Sequence, residues 1–159
     1  MAFPDCDLRK HPPRGARVTV GGLYFLARTI DKTRAILAGT QGEYKVAPGI
    51  SGYLFDDLGI TEEQFTQAVR NAQSDDDVVA WLHAHTDRSK YPEINEKLVT
   101  RRLRDAEHRA TFVDRYPILN ERPDLWNWFE IFDLDDEWMF RPENLDKPGA
   151  AKTVVTSPL

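Results

Sequence analysis

The hydrophobic pattern of residues 21–44 is the strongest structural signal in the chain, and it predicts a buried helix. On a wheel of about 100° per residue, one broad arc carries mainly apolar side chains: Leu23, Phe25, Leu26, Ala27, Thr29, Ile30, Ile36 and Leu37. The opposite side is left with five residues: Tyr24, Arg28, Asp31, Lys32 and Ala35. A helix that is apolar over more than half of its circumference is typical of an element packed between others. We expect it to begin at Gly22 or Leu23 and to end just before Gly39.

Arg34 is the exception to this pattern, because the wheel places it inside the apolar arc, beside Ile30 and Leu37. A guanidinium keeps its charge when it is buried, so it needs an anionic partner from the protein or from a ligand. In one interpretation the partner is internal: Glu43, Asp7 or a later carboxylate.

In the other interpretation, Arg34 anchors an anion in a pocket. The candidate ligand-binding residues are then the cations near Arg34 and the tyrosine that follows the helix: Arg28, Lys32, Arg34 and Tyr44. The sequence leaves both interpretations open, although buried arginine is more often paired within the protein.

A set of short motifs gives the chain a family resemblance. The motifs are Asp7-Leu8, Pro12-Pro13-Arg14, Gly22, Arg28, Asp31-Lys32-Thr33-Arg34-Ala35, Ala38-Gly39, Gly42-Glu43-Tyr44, Phe55, Gly59-Ile60 and Trp128-Phe129-Glu130-Ile131-Phe132-Asp133. Together they resemble the bacterial domain-of-unknown-function family 5069 over residues 5–140. The family is uncharacterised, so the resemblance implies a common fold and assigns no catalytic residue.

Capping signals predict two helices in the middle of the chain. Thr61 and Gln64 form a capping box, which begins a helix that runs to about Ala72. Ser74 caps the next helix, and the three aspartates that follow it suit the positive end of a helix dipole. Residues 47–59 are predicted to be a loop.

The second half of the chain is predicted to hold two further helices. Pro92 fits the first turn of a long helix that ends at Pro117. An aromatic helix at 124–132 is then expected to close the core, followed by a solvated acidic turn: Asp133, Asp135, Asp136 and Glu137. We also considered one of these carboxylates as the partner of Arg34.

These elements predict a mainly α, compact single domain over residues 1–141, with an irregular N-terminal arm at 1–20. The two prolines after His11 exclude a helix in this arm. The pattern allows a small two-stranded β element that pairs residues 18–20 with 44–46. Residues 142–159 are expected to form a loosely held tail.

The composition excludes several classes of protein. With 159 residues, 41% of them hydrophobic, the chain suits one packed core. Its one cysteine excludes a disulfide framework and a cysteine-rich zinc site. No apolar run is long enough to cross a membrane, and residues 1–15 lack the apolar core of a signal peptide. We therefore expect a cytoplasmic protein with no membrane partner.

The charged residues are arranged in blocks that alternate in sign, within a net charge of −5. Such blocks favour either ion pairing inside the molecule or self-association. The predicted long helix carries a basic stripe: Lys97, Arg101, Arg104, His108 and Arg115. We interpret this stripe as a solvated face opposite the acidic block of residues 46–87, and expect no nucleic-acid partner.

Two histidines are the obvious metal candidates, and the pattern argues against them. His83 and His85 are two residues apart at the end of a predicted helix, where their side chains diverge by about 200°. We therefore predict no metal site and no cofactor.

Three hypotheses for function follow. The first is a binding module that holds a small anionic or polar ligand near Lys32, Arg34 and Tyr44. The second is an adaptor, or a protein that forms homo-oligomers through its charge blocks. The third is a small enzyme that uses Tyr44, Lys32 and a carboxylate, Asp31 or Glu43, for proton transfer.

Overall fold

The fold is mainly helical, as predicted. The computed structural model describes residues 6–145. In this part of the chain the helices are α1 (Leu26–Ala38), α2 (Ile50–Leu58), α3 (Glu62–Asn71), α4 (Asp75–His85), α5 (Tyr91–Val99), α6 (Ala106–Ala110), α7 (Ile118–Glu121) and α8 (Trp128–Met139). Short 3-10 helices lie at Arg88–Lys90 and Pro142–Asn144. The β structure found in residues 6–145 consists of isolated bridges.

Helix α1 begins later than predicted because a tight hairpin comes before it. Val20 and Leu23 exchange both of their backbone hydrogen bonds, at 3.2 and 3.0 Å. Gly21 and Gly22, between them, have φ values of 60° and 88°, which a two-residue hairpin turn requires. Phe25 is also left-handed, with φ 66°, so regular helix begins at Leu26. At the other end, Gly39 is the left-handed cap that the sequence predicts.

The helical wheel predicts the wrong exposed side for α1. Arg28, Asp31 and Lys32 are only 4%, 3% and 6% exposed, whereas Ile36 is 39% exposed. Arg34 is half-buried instead of lying at the centre of the apolar contact. The reason is that side chains of opposite charge from other parts of the chain pair with Arg28 and Asp31, which allows this side of α1 to pack inward.

Residues 47–59 were predicted to be a loop, and this prediction is wrong for most of the segment. Residues 50–58 form α2, which buries Ile50, Leu54 and Phe55. The predicted pairing of 18–20 with 44–46 is also absent from the described structure, since the backbone of Val20 pairs with Leu23 instead.

Helices α3 and α4 begin where their capping signals predict. The Thr61 hydroxyl accepts a hydrogen bond from the Gln64 amide at 3.1 Å, and the Gln64 side chain accepts one from the Thr61 amide at 2.9 Å. Ser74 caps α4, which runs to His85. Both helices thus follow from local chemistry.

The predicted long helix over residues 92–116 is wrong, because residues 100–105 leave the helical path. The Leu103 amide donates to the Trp126 carbonyl at 2.8 Å, and the Trp128 amide donates to the Arg101 carbonyl at 3.0 Å. These bonds divide the segment into α5 and α6 and disperse the basic stripe. Arg101 stacks 3.5 Å from the centroid of the Tyr53 ring, whereas Arg115 is buried.

Helix α8 begins later and is longer than predicted, and its aromatic side chains pack in the core. The rings of Trp128 and Phe132 stack 5.5 Å apart, and Phe129 stacks on Phe25 at 5.6 Å. The acidic residues expected in a solvated turn lie on this helix instead. Asp135 and Asp136 are 1% and 6% exposed, so α8 carries buried negative charge into the core.

The two ends of the chain lie partly outside the described residues, namely 1–5 and 146–159. The described part of the predicted arm, residues 6–20, is without a helix. The start of the predicted tail is packed: Asn144 is 2% exposed and donates to the Trp138 carbonyl at 3.0 Å. The division at residue 141 stays a prediction.

Candidate functional site

A small cavity brings together three of the four predicted ligand-binding residues. Arg28, Lys32 and Tyr44 line it, and its volume is about 40 Å³. The rest of the wall comes from the residue before α1, the loop before α2 with the first residue of α2, the segment before α7, and α8. These residues are Phe25, Glu43, Lys45, Val46, Pro48, Gly49, Ile50, Arg115, Tyr116, Phe132 and Asp135. A cavity of this size accommodates a few water-sized groups, such as one carboxylate.

Arg28 holds the inner wall of the cavity through an ion pair between α1 and α8. Its two terminal nitrogens donate to the Asp136 carboxylate at 2.5 and 3.0 Å. The aromatic rings of Phe25, Tyr44 and Phe132 lie 5.4–5.9 Å from the guanidinium carbon. This bidentate pairing satisfies a buried guanidinium and fixes its orientation.

Tyr44 completes the same hydrogen-bond network. Its hydroxyl donates to Asp136 Oδ1 at 2.8 Å, and its side chain is buried. Burial, followed by the neighbouring Asp136 carboxylate, raises the pKa of Tyr44 well above its usual value. Tyr44 therefore serves as a protonated donor that holds Asp136, and is unsuited to the role of a general base.

Lys32 differs from its neighbour Arg28, because no carboxylate pairs with it. Among residues 6–145 its amine has no hydrogen bond or ion pair, although the residue is only 6% exposed. Its Nζ lies 5.2 Å from the centroid of the Phe25 ring. Burial, and then the positive charge of Arg28, lower the pKa of Lys32 well below its usual value.

The remaining charged residues make the cavity wall positive. The wall has four basic side chains and two acidic ones, and Asp136 neutralises Arg28, so one net positive charge remains when Lys32 is protonated. Arg115 is 9% exposed, and its guanidinium lies 5.5 Å from the centroid of the Tyr116 ring. Glu43 lies at the exposed rim. The cavity therefore favours a negatively charged occupant.

Arg34, the fourth predicted residue, does not line this cavity. Its terminal nitrogen donates to the Cys6 sulfur at 3.3 Å. Burial raises the pKa of the Cys6 thiol to about 11, so the sulfur stays protonated near neutral pH. Helix α1 thus places Arg34 against the N-terminal arm, apart from Lys32 and Tyr44.

Asp31, the carboxylate suggested for proton transfer, is paired with the N-terminal arm. Its oxygens accept from the Arg14 amide at 2.8 Å and from the Arg14 guanidinium at 3.0–3.2 Å. Arg14 also reaches Asp75 at 2.7 Å, so it connects α1 with α4. Asp31 does not line the cavity, whereas Glu43 does.

Four charged residues of the site were missed by sequence reasoning: Lys45, Arg115, Asp135 and Asp136. Arg115 was interpreted as part of a solvated stripe, and the two aspartates as part of a solvated turn. The available signal was the position of the aspartates among aromatic residues, between Phe132 and Trp138. That position is compatible with burial only if the carboxylates find partners.

The two histidines of α4 lie apart from the cavity and point to different neighbours. His83 Nε2 lies 3.0 Å from the Gly21 carbonyl oxygen, and the His85 ring stacks on Trp81 at 4.5 Å. In the part of the chain that the structure describes, no group of three or more His, Cys, Asp or Glu side chains is arranged to hold a metal ion.

A second, larger concavity of about 330 Å³ lies between α3 and α4. Its wall is made mainly of neutral polar and small side chains, together with Trp81 and Asp77. It lacks the buried, unpaired cation that distinguishes the first cavity.

Comparison with known proteins identifies a family and no function. No curated protein matches the sequence. Within residues 6–145, every helix is too short or too polar to cross a bilayer. The model of the family described as "Domain of unknown function (DUF5069)" matches residues 10–138, which include all of the residues that line the cavity. The chain therefore belongs to the DUF5069 family.

Proposed function

We propose that the protein is a binding module for a small anionic ligand, which it holds in the cavity between α1 and α8. Lys32 and Arg115 are the residues that contact the anion, with Lys45 at the entrance. Arg28 and Tyr44 hold the wall through Asp136.

The observation that carries this proposal is the buried amine of Lys32. A buried cation without a partner costs free energy, and proteins normally pair such a group or place it where it acts. Lys32 has no hydrogen bond or ion pair within the described structure, and it lines a cavity of about 40 Å³. A ligand oxyanion in that cavity supplies the missing partner.

The charge of the surrounding wall supports the same assignment. Asp136 neutralises Arg28, so Arg28 holds the cavity wall in place and adds little to the attraction of an anion. Lys32, Lys45 and Arg115 then face Glu43 and Asp135 on the wall, and a net positive charge remains when Lys32 is protonated. An arriving anion favours the protonated amine, so we expect binding to be coupled to proton uptake at Lys32.

Ligand-dependent stability tests this proposal. We expect inorganic phosphate or lactate to stabilise the wild-type protein against denaturant, by about 2.7 kcal/mol at a concentration 100 times the Kd. Sodium chloride at the same ionic strength provides the reference for general salt effects. The ligand-dependent part should disappear in Lys32→Met.

Lys97→Met is the matched control, because Lys97 is an exposed lysine on α5, paired with Asp57 at 3.5 Å. This variant should keep the full ligand response of the wild type. An equal response in Lys32→Met, or no response to either anion in the wild type, would contradict the proposal.

A further inference from the structure

Lys32 is placed to react with a ligand as well as to attract one. Its amine lies beside the Phe25 ring and has no partner in the described structure. Arg28, one turn earlier on α1, occupies the Asp136 carboxylate with both terminal nitrogens. That carboxylate is therefore already paired, and the amine of Lys32 remains available to a molecule in the cavity.

We propose that the ligand is a small 2-oxo acid, and that the amine of Lys32 binds its carbonyl carbon as a reversible imine. This inference rests on the proposed function, because it names the ligand class of the same cavity. It adds a covalent step at one identified nitrogen.

Only the neutral amine is a nucleophile, so in this step the ligand carboxylate lies at Arg115 and Lys45 and leaves the amine of Lys32 unprotonated. Burial, Arg28 and Arg115 disfavour the ammonium form, whereas Asp136 and Glu62 favour it to a smaller extent. Lys45, Glu43 and Asp135 also face the cavity. The pKa of Tyr116 is raised to about 12, mainly by burial, so its hydroxyl adds no negative charge near neutral pH.

The cavity also provides for the carboxylate of such a ligand. Arg115 and Lys45 line the same wall as Lys32, and a guanidinium suits a carboxylate in both charge and shape. A volume of about 40 Å³ admits a molecule of few atoms and excludes large carbonyl compounds. Carboxylate and carbonyl are adjacent in a 2-oxo acid, which matches a small cavity that is lined by both a guanidinium and an amine.

The reaction balances without a further reactant. The nitrogen lone pair of neutral Lys32 forms the bond to the carbonyl carbon, and the carbonyl π electrons move to the oxygen. Both amine hydrogens then leave with that oxygen as water, while the nitrogen forms a double bond to the carbon. Addition of water reverses the sequence, so the ligand is released unchanged.

Reductive trapping tests this step on the full chain. Wild-type protein is incubated with pyruvate and cyanoborohydride, which delivers hydride to the imine carbon while solvent protonates the nitrogen. We expect one carboxyethyl group per chain, located on Lys32 by peptide mapping. Labelling of Lys32 should be faster than that of exposed Lys97 by on the order of tenfold, as expected for a desolvated amine.

Two variants separate the imine from general reactivity. Lys32→Arg keeps a cation in the cavity and cannot form the imine, so it should show only slow surface labelling. Lys97→Arg should be trapped at Lys32 as fast as the wild type. Labelling that is spread over exposed lysines at equal rates, or that falls first on Lys45, would overturn the inference.

The same samples distinguish failure of the inference from failure of the proposed function. Lactate has the carboxylate of pyruvate without its carbonyl, so it reports anion binding alone. If lactate stabilises the protein and pyruvate is not trapped, the imine is wrong and anion binding stands. If neither lactate nor phosphate stabilises it and no label appears, both proposals are wrong.

Discussion

Lys32 and Arg28 lie one turn apart on α1 and are both buried, but only Arg28 has a carboxylate partner in the described structure. An ion pair with good geometry offsets much of the cost of removing a charge from water. An unpaired ammonium keeps that cost or gives up its proton. The contrast is why Lys32, and not Arg28, is the residue on which the proposed ligand site rests.

Replacement of Lys32 by methionine should therefore stabilise the ligand-free protein. Methionine has a similar length, fills the same space and carries no charge to desolvate. We expect the free energy of unfolding to rise by about 1–3 kcal/mol, the usual cost of a buried polar group without a partner. Urea melts measure this change, with exposed Lys97→Met expected to stay within about 0.5 kcal/mol of the wild type.

The increase in the free energy of unfolding of Lys32→Met over the wild type should become smaller as the pH rises. The pKa of Lys32 is lowered in the folded state and near 10.5 when the chain is unfolded. At pH values between these two pKa values, Lys32 binds more protons in the unfolded chain than in the folded one. The contribution of Lys32 to the free energy of unfolding of the wild type therefore rises with pH over this range. The advantage of Lys32→Met should shrink as pH approaches 10.5, and a pH-independent advantage would contradict the assigned cause.

The sequence predicted helix α1 but placed the buried charge at Arg34, which is half-buried, instead of at Arg28 and Lys32. The helical wheel assumes that charged residues face solvent, and it therefore singled out Arg34 and assigned Arg28 and Lys32 to the exposed side. The partner of Arg28 is 108 positions away, on α8. No local pattern contains that information, so the sequence named Arg28 and Lys32 as candidates but did not predict that they are buried.

Among the elements, the Gly21–Gly22 turn shows how backbone conformation sets the position of α1. Gly21 has φ 60°, and a Cβ atom there would lie 2.9 Å from the Val79 side chain on α4. Gly21→Ala should therefore lower the free energy of unfolding by about 1–2 kcal/mol for the left-handed backbone alone. The contact with Val79 adds to this loss, which a thermal or urea melt can measure.

Gly52 provides a control of opposite sign within the same protein. It lies inside α2, and an added Cβ would meet no atom within 4 Å. Gly52→Ala should stabilise the protein by about 0.5–1 kcal/mol, because alanine loses less backbone freedom in a helix. If both alanine variants were destabilised equally, the conformational explanation for Gly21 would be wrong.

Elements with local start signals were the ones that the sequence predicted well. The side chains of Thr61 and Ser74 accept hydrogen bonds from backbone amides in the first turns of α3 and α4. The start signal of each helix therefore lies within four consecutive residues. The break after α5 has a different origin, since the Leu103 amide finds its acceptor on Trp126. Such pairing between distant segments overrides helical periodicity.

In the whole molecule, ion pairs join charge blocks that alternate along the sequence. Arg14 of the basic block 1–45 binds Asp75 of the acidic block 46–87. Lys97 of the basic block 88–116 binds Asp57 of the same acidic block. Arg28 of the block 1–45 binds Asp136 of the acidic block 117–159. The alternation thus has a role inside the fold, and homo-oligomer formation stays a prediction.

The ion pair between Arg28 and Asp136 connects α1 with α8, and its loss should be severe. Asp136→Asn removes the negative charge and leaves a guanidinium whose side chain is 5% exposed without compensation. We expect a loss of about 3–5 kcal/mol in the free energy of unfolding. The loss should persist in about 1 M salt, because screening by salt is weak for buried charges.

Two comparisons make this last prediction specific. Asp57→Asn breaks a pair whose lysine side chain is 54% exposed, so it should cost less than about 1 kcal/mol and lose its effect in high salt. The double variant Arg28→Met with Asp136→Asn removes the uncompensated charge together with its partner, so it should recover part of the stability lost in Asp136→Asn. The measurement is a set of urea melts of the wild type and all variants at two salt concentrations.

A loss in Asp136→Asn no larger than that in Asp57→Asn would mean that Arg28 reaches solvent or another anion. The inner wall of the cavity would then not depend on the connection between α1 and α8.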